Sequence, residues 1–133
     1  MQVETMLGAH PLTRGAALHH LDTAISELAL CAMACTSCAD ACLAEGTVDR
    51  MRQCIRLCLD CADVCAVAAR LAIRRTGAND TLLAEVLAVC ATACHLCGEE
   101  CQRHAEMQDH CRLCAEACLA CGTACQRAIG DVA

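Results

Sequence analysis

The sequence predicts an all-α protein, an antiparallel up-down-up-down four-helix bundle with a cysteine-lined core. Seventeen of the 133 residues are cysteine, and sixteen of these fall into four copies of C-x3-C-x2-C-x3-C. Steps of four, three and four residues keep one narrow stripe of an α-helix pointing one way. Four helices that each carry a stripe of thiols hide those stripes only by facing one another. Phe, Tyr and Trp are absent, yet hydrophobic residues make up 57% of the chain. The core is therefore built from Ala, Leu and Cys, whose small or unbranched side chains let helices pack closely. Short connections between the copies set consecutive helices antiparallel.

Residues 1–12 contain Gly8 and Pro11 and read as an N-terminal arm or a half-turn of helix. The first long helix is expected from near Thr13 to Glu45 and carries Cys31, Cys35, Cys38 and Cys42. Gly46 suits the left-handed position after a helix end, and Thr47 suits the cap of the next helix. The second helix covers about Val48 to Arg75 with Cys54, Cys58, Cys61 and Cys65. Gly77 closes it, and Asn79 or Asp80 caps the third. That helix reaches about His104 and carries Cys90, Cys94, Cys97 and Cys101. The fourth runs from about Met107 to Ala128 with Cys114, Cys118, Cys121 and Cys125, and Cys111 extends its stripe in phase. The expected organisation is an arm (1–12), one bundle domain (13–128) and a short tail (129–133), one domain by length.

Followed past the cysteines, the stripes give the bundle a direction. On one side they continue through Leu28, Ala24, Leu21 and Ala17, through Ala68 and Ala72, through Leu87 and Leu83, and onto Ala128. With antiparallel neighbours these positions share one end, a hydrocarbon plug. At the other end the stripes run onto Met51, His104 and Met107, two thioethers and an imidazole that can ligate soft or borderline metals.

A formal charge of −6 and a pI near 5.4 argue against a nucleic-acid surface. Arg74 and Arg75 form only a short patch beside an expected loop. No uninterrupted apolar run approaches bilayer-spanning length, so no membrane role is expected. The first residues show neither a basic stretch followed by an apolar one nor a twin-arginine pair, and the expected address is cytoplasmic. An odd count of cysteines in helical spacing without an export signal favours reduced thiols over a disulfide framework.

Thiolates at this spacing fit soft metal ions. Side chains at i and i+4 have Cβ atoms about 5–6 Å apart, so two sulfurs can straddle one ion in a near-linear arrangement natural for Cu(I). Thiolate softness selects Cu(I), zinc or iron–sulfur clusters. Zinc sites are usually compact tetrahedral knuckles, and iron–sulfur clusters use other spacings on wrapping loops. A buried thiolate without a partner is unfavourable, so the empty core keeps its thiols neutral. Each incoming Cu(I) displaces a proton and brings one positive charge. Neutrality is then reached at about seventeen Cu(I), with a few more at the Met/His end, whereas a divalent ion would reach it at about half that number.

Four helices with C-x3-C pairs, no aromatic residues and no export signal resemble the bacterial copper storage proteins, specifically their cytosolic branch. The resemblance covers about residues 13–128. It implies a four-helix bundle filled with Cu(I), association into a homotetramer, a cytosolic storage role, and the seventeen cysteines as ligands. His104, Met51 and Met107 as further ligands come from phase and position.

Other residues have simpler readings. Met51 and Met107 are as easily fillers at a bundle end as ligands. His104 is in phase with the stripe, while a helix-end histidine also sits well in the macrodipole. His110 neighbours Cys111 but is off the stripe, and His95 points away from the core. His19 and His20 lie beside the plug, and Met6 and Met33 are packing residues. The second helix holds more apolar residues than one stripe needs, Ile55, Leu57, Leu59, Val64, Val67, Leu71 and Ile73, and some of them line a subunit contact. No catalytic group is evident. The alternatives to copper storage are a zinc or cadmium scavenger of metallothionein character, an iron–sulfur electron-transfer protein, and a thiol oxidase-like enzyme. The donor or recipient of the metal is not written in the sequence.

Overall fold

The computed structural model describes residues 2–14 and 19–132. A short helix, α1 (Val3–Ala9), precedes four long ones: α2 (His19–Ala44), α3 (Arg52–Ile73), α4 (Asp80–Gln102) and α5 (Asp109–Val132). A single 3-10 turn, Val48–Arg50, lies between α2 and α3. Helix α2 packs on α3 and α5, and α4 packs on the same two, so the long helices close a ring around one core. Sulfur pairs give the relative registers. Cys54 meets Cys101 and Cys65 meets Cys94, so α4 is read backwards as α3 is read forwards.

The helices form where the stripes predict them, because all seventeen cysteines take buried positions and the charged residues between them, Glu100 apart, face outward. Two glycines set how closely α4 and α5 approach. A Cβ added at Gly98 would lie 3.3 Å from the Cys118 Cβ, and one at Gly122 would lie 3.4 Å from the Cys94 Cβ. Each glycine thus sits against a cysteine of the facing helix, and this draws the thiols of both helices towards the same axis.

The termini and connections differ from expectation. Where an arm is expected, Val3–Ala9 form two turns of helix, which bury Leu7 against the core. Thr13 is in the turn that follows rather than in the first long helix, and its hydroxyl donates to the Leu7 carbonyl. Gly46 does not take a left-handed conformation; among the described residues only Gly77 does, with φ 77°. The chain leaves α2 through the 3-10 turn instead, so a left-handed reversal is not needed there. Neither Thr47 nor Asn79 caps a helix with its side chain. The Asn79 amide instead donates to the Leu71 carbonyl at 3.0 Å, tying the end of α3 to the start of α4. Residues 129–132 continue α5 and form no separate tail.

The expectation about membrane-length segments also needs correction. By length and composition alone, His20–Ala44 and Asp80–Gln102 are long and apolar enough to cross a bilayer. Cysteine and alanine supply much of that apolar character, and the cysteines on both helices lie against the other helices of the bundle.

The plug is present. Leu21, Ala24, Leu28, Ala68, Ala72, Leu83, Leu87 and Ala128 are all buried at one end, while Ala17 lies outside the described residues. Helix α1 lies over the same end, where His10 Nε2 is 3.2 Å from the Thr76 hydroxyl in the α3–α4 connection. Replacing Leu28 by Ala removes a fully buried side chain and is expected to lower stability by about 2–5 kcal/mol. Denaturant unfolding of the reduced protein measures the loss, and a thiol assay in denaturant should still count all seventeen cysteines.

Candidate metal centre

Every cysteine is a free thiol with its side chain withdrawn from solvent. The sulfurs form one continuous column. Its lowest described contacts join Cys65 to Cys121 at 4.0 Å and Cys65 to Cys94 at 3.9 Å. Higher up, Cys35 lies 3.7 Å from Cys118 and from Cys114, and Cys97 lies 3.7 Å from Cys58. Near the top Cys58 and Cys54 lie 3.6 and 3.7 Å from Cys101, and Cys38 lies 4.0 Å from Cys111.

The thiols gather into quartets whose sulfurs all lie within 4.8 Å of one another. Cys31, Cys65, Cys94 and Cys121 form one, with a cysteine from each long helix. Cys31, Cys35, Cys61 and Cys118 form the next, followed by Cys35, Cys97, Cys114 and Cys118. Towards the far end stand Cys38, Cys54, Cys58 and Cys101, and then Cys38, Cys42, Cys54 and Cys111. Each of these draws on at least three helices. The sequence points to pairs along one helix; the structure gathers sulfurs from different helices into each quartet. The i,i+4 sulfur pairs Cys31–Cys35 and Cys61–Cys65 are 3.8 Å apart, closer than a linear two-sulfur bridge requires. Cys90 is buried at the plug side, where it lies 3.3 Å from the Val64 carbonyl, and Cys125 is buried on α5.

Burial without a nearby cation disfavours the thiolate. Desolvation pushes the Cys42 thiol up, and it raises Cys111 from 9.0 to about 11. The buried polar residues of the described chain are Thr13 and Glu100, so no lysine or arginine is available inside to balance a thiolate.

The end opposite the plug carries the polar groups. Met51, at the start of α3, is buried in the core. Met107 is 74% exposed in the α4–α5 turn, so the structure does not bring it to the thiols. Residues 103–107 form turns, and the helical phase that aligned Met107 with the stripe does not carry through them. His104 is half-buried, and its Nε2 lies 2.9 Å from the buried carboxylate of Glu100. Arg103 donates to the other oxygen of the same carboxylate at 2.6 Å.

His110 is the residue that stripe phase misses. Its Nδ1 lies 3.4 Å from the Cys38 sulfur and 3.6 Å from that of Cys111, and its Nε2 lies 3.1 Å from Glu45 Oε1. A carboxylate only accepts, so Nε2 carries the proton and Nδ1 turns its lone pair to the thiols. The signal in the sequence was adjacency to Cys111 at the first turn of α5, where a long ring reaches sideways into the core. His95 is exposed and pairs with Glu99, and His20 pairs with Asp131 outside the plug.

The family model described as copper storage protein matches residues 17–130. A comparison with curated proteins gives no match. Among solved structures, the chain is similar to the Streptomyces lividans copper storage protein Ccsp loaded with 10 copper equivalents. The identity is 46% over 96% of this chain and 98% of that one, with a TM-score of 0.91. It is also similar to a cytosolic copper storage protein from the same organism with five coppers, at 49% identity over 84% of this chain and 93% of that one, TM-score 0.82. A histidine-to-alanine mutant of Ccsp matches at 47% identity over 90% of this chain and 99% of that one, TM-score 0.86. With a thiol column built across four helices and a family match spanning most of its length, this chain belongs to the copper storage protein family.

Proposed function

We propose that this chain stores Cu(I) in the cytosol, in an antiparallel up-down-up-down bundle whose seventeen cysteines are the ligands. The observation that carries the reading is the column of buried, unpaired thiols with no internal cation. Such a core stays neutral when empty, and again when each Cu(I) has replaced one thiol proton. Both states avoid buried net charge. An iron–sulfur cluster or an enzyme of thiol oxidation gains nothing from so long a column. The cytosolic setting is supported by the relative described as cytosolic. The long helices of the bundle run from His19 to Val132, and storage assigns it no catalytic step.

Uptake runs through the end that bears Met51, His104 and His110. There the His110 lone pair accepts the proton that Cys38 or Cys111 gives up as the first ion binds, and Glu45 steadies the imidazolium that results. Met51, buried at the start of α3, offers its thioether in this reading, whereas the exposed Met107 takes no part. Glu100 holds His104 at the rim through Nε2, which leaves its Nδ1 to meet arriving ions.

The chain assembles with copies of itself, as a homotetramer by resemblance to its family. Exposed apolar side chains are spread over all four long helices, among them Met33, Val67, Leu82, Val89 and Leu119, which supports contact on more than one face. Leu59 and Val67 of the second helix are exposed as that contact requires, whereas Ile55, Leu57, Val64, Leu71 and Ile73 pack in part against the core.

Anaerobic titration of reduced protein with Cu(I) against a chromophoric chelator is expected to saturate at about seventeen ions per chain, with a few more at the mouth. Saturation near two or four would overturn storage. Replacing His110 by Ala should slow the first phase of uptake, read by stopped flow, by about tenfold or more, with the final capacity nearly unchanged. The copper-free protein should also lose stability in alkali. Because folding raises the Cys111 pKa, its contribution is fully present below pH 9.0 and disappears as pH rises through about 11. Urea unfolding across that interval measures the effect, and Cu(I) loading should remove it.

A further inference from the structure

The closest sulfurs of the copper-free core stand nearer to one another than a two-coordinate ion needs. A linear site needs its two sulfurs about two bond lengths apart, roughly 4.5 Å. The closest neighbours here are 3.6–4.0 Å apart, and the other sulfurs of each quartet lie within 4.8 Å. Four sulfurs about 2.3 Å from one ion lie about 3.8 Å apart along each tetrahedral edge. Two edges of each of three quartets match that figure: 3.6 and 3.7 Å around Cys101, 3.7 and 3.9 Å around Cys35, and 3.9 and 4.0 Å around Cys65.

We infer that the copper-free chain holds divalent closed-shell ions of the zinc and cadmium class in separate tetrahedral four-sulfur shells, and surrenders them to Cu(I). The inference goes beyond Cu(I) storage and uses the same thiols in another coordination. Three quartets share no cysteine, those that contain Cys94, Cys97 and Cys58. Seventeen thiols cannot make more than four separate quartets. Geometry therefore limits a divalent ion to three or four per chain, well below the half-equivalence that charge neutrality alone would give. The shells are already formed across helices, so binding needs little reordering of side chains.

Charge sets the direction of exchange. A divalent ion that displaces four thiol protons leaves its shell with a net charge of −2, which a dry core tolerates poorly. About four Cu(I) replacing that ion leave the four sulfurs neutral, and the ion departs as the divalent cation, with no oxidation or reduction. The divalent ion is thus a place-holder. It keeps thiols occupied and protected until Cu(I) arrives.

Cobalt(II) reports the geometry, because tetrahedral sulfur-bound cobalt has intense visible ligand-field bands. Full-length reduced protein is titrated with Co(II) under nitrogen, then with Zn(II), then with Cu(I) in the presence of a chromophoric zinc indicator. The bands are expected to grow to three or four ions per chain, to fade as zinc displaces cobalt, and zinc should appear on the indicator as Cu(I) is added. Absence of tetrahedral bands, saturation near eight ions, or retention of zinc after Cu(I) saturation would each overturn the inference. A parallel Cu(I) titration of metal-free protein separates this from storage itself. Saturation near one Cu(I) per cysteine without tetrahedral cobalt sinks the place-holder alone, and low Cu(I) capacity sinks storage.

Discussion

A dry column of seventeen thiols, without one internal cation to offset a negative sulfur, is the condition on which the rest of this structure turns. Water is excluded, so each sulfur has two affordable states: protonated, or bound to a metal ion. This explains why the charged residues of the chain lie outside or at one end. It also explains why the buried carboxylate, Glu100, sits between Arg103 and His104 instead of among the sulfurs. The acidic surface then keeps the protein soluble without disturbing the interior.

Closeness of the helices follows from what the chain leaves out. Without aromatic rings, and with Gly98 and Gly122 set against Cys118 and Cys94, facing backbones approach until sulfurs on different helices are neighbours. A wider bundle would leave each helix with its own row of thiols. The narrow one joins rows into quartets, and the grouping of sulfurs becomes a property of the tertiary fold.

Much of this was legible from residue order, because a four-three-four spacing repeated four times has one reading as a helical stripe. The plug was legible for the same reason: Leu28, Leu83, Leu87 and Ala72 continue the phase. The failures fall where phase stops carrying information. Met107 lies in a turn that faces it to solvent, and Gly46 is followed by a 3-10 turn that needs no left-handed residue. Helix α1 is only seven residues long, too short for a periodic signal, and Leu7 is its one buried residue. His110 escaped because stripe position describes where a Cα points, whereas a ring several bonds long reaches a neighbour's sulfur from off the stripe. Quartet formation also lies outside any single-helix pattern, since it depends on the registers of four helices at once.

The hydrocarbon plug, with α1 lying over it, has a consequence for the order of traffic. A tube closed at its base behaves as a stack: whatever goes in first leaves last. Ions beside Cys90 and Cys125 would be deep reserve, exchanged only after those above had gone, while ions beside Cys38 and Cys111 would turn over with the cell's daily supply. One protein can thereby keep a working pool and a long-term deposit with the same ligand throughout, separated by depth alone.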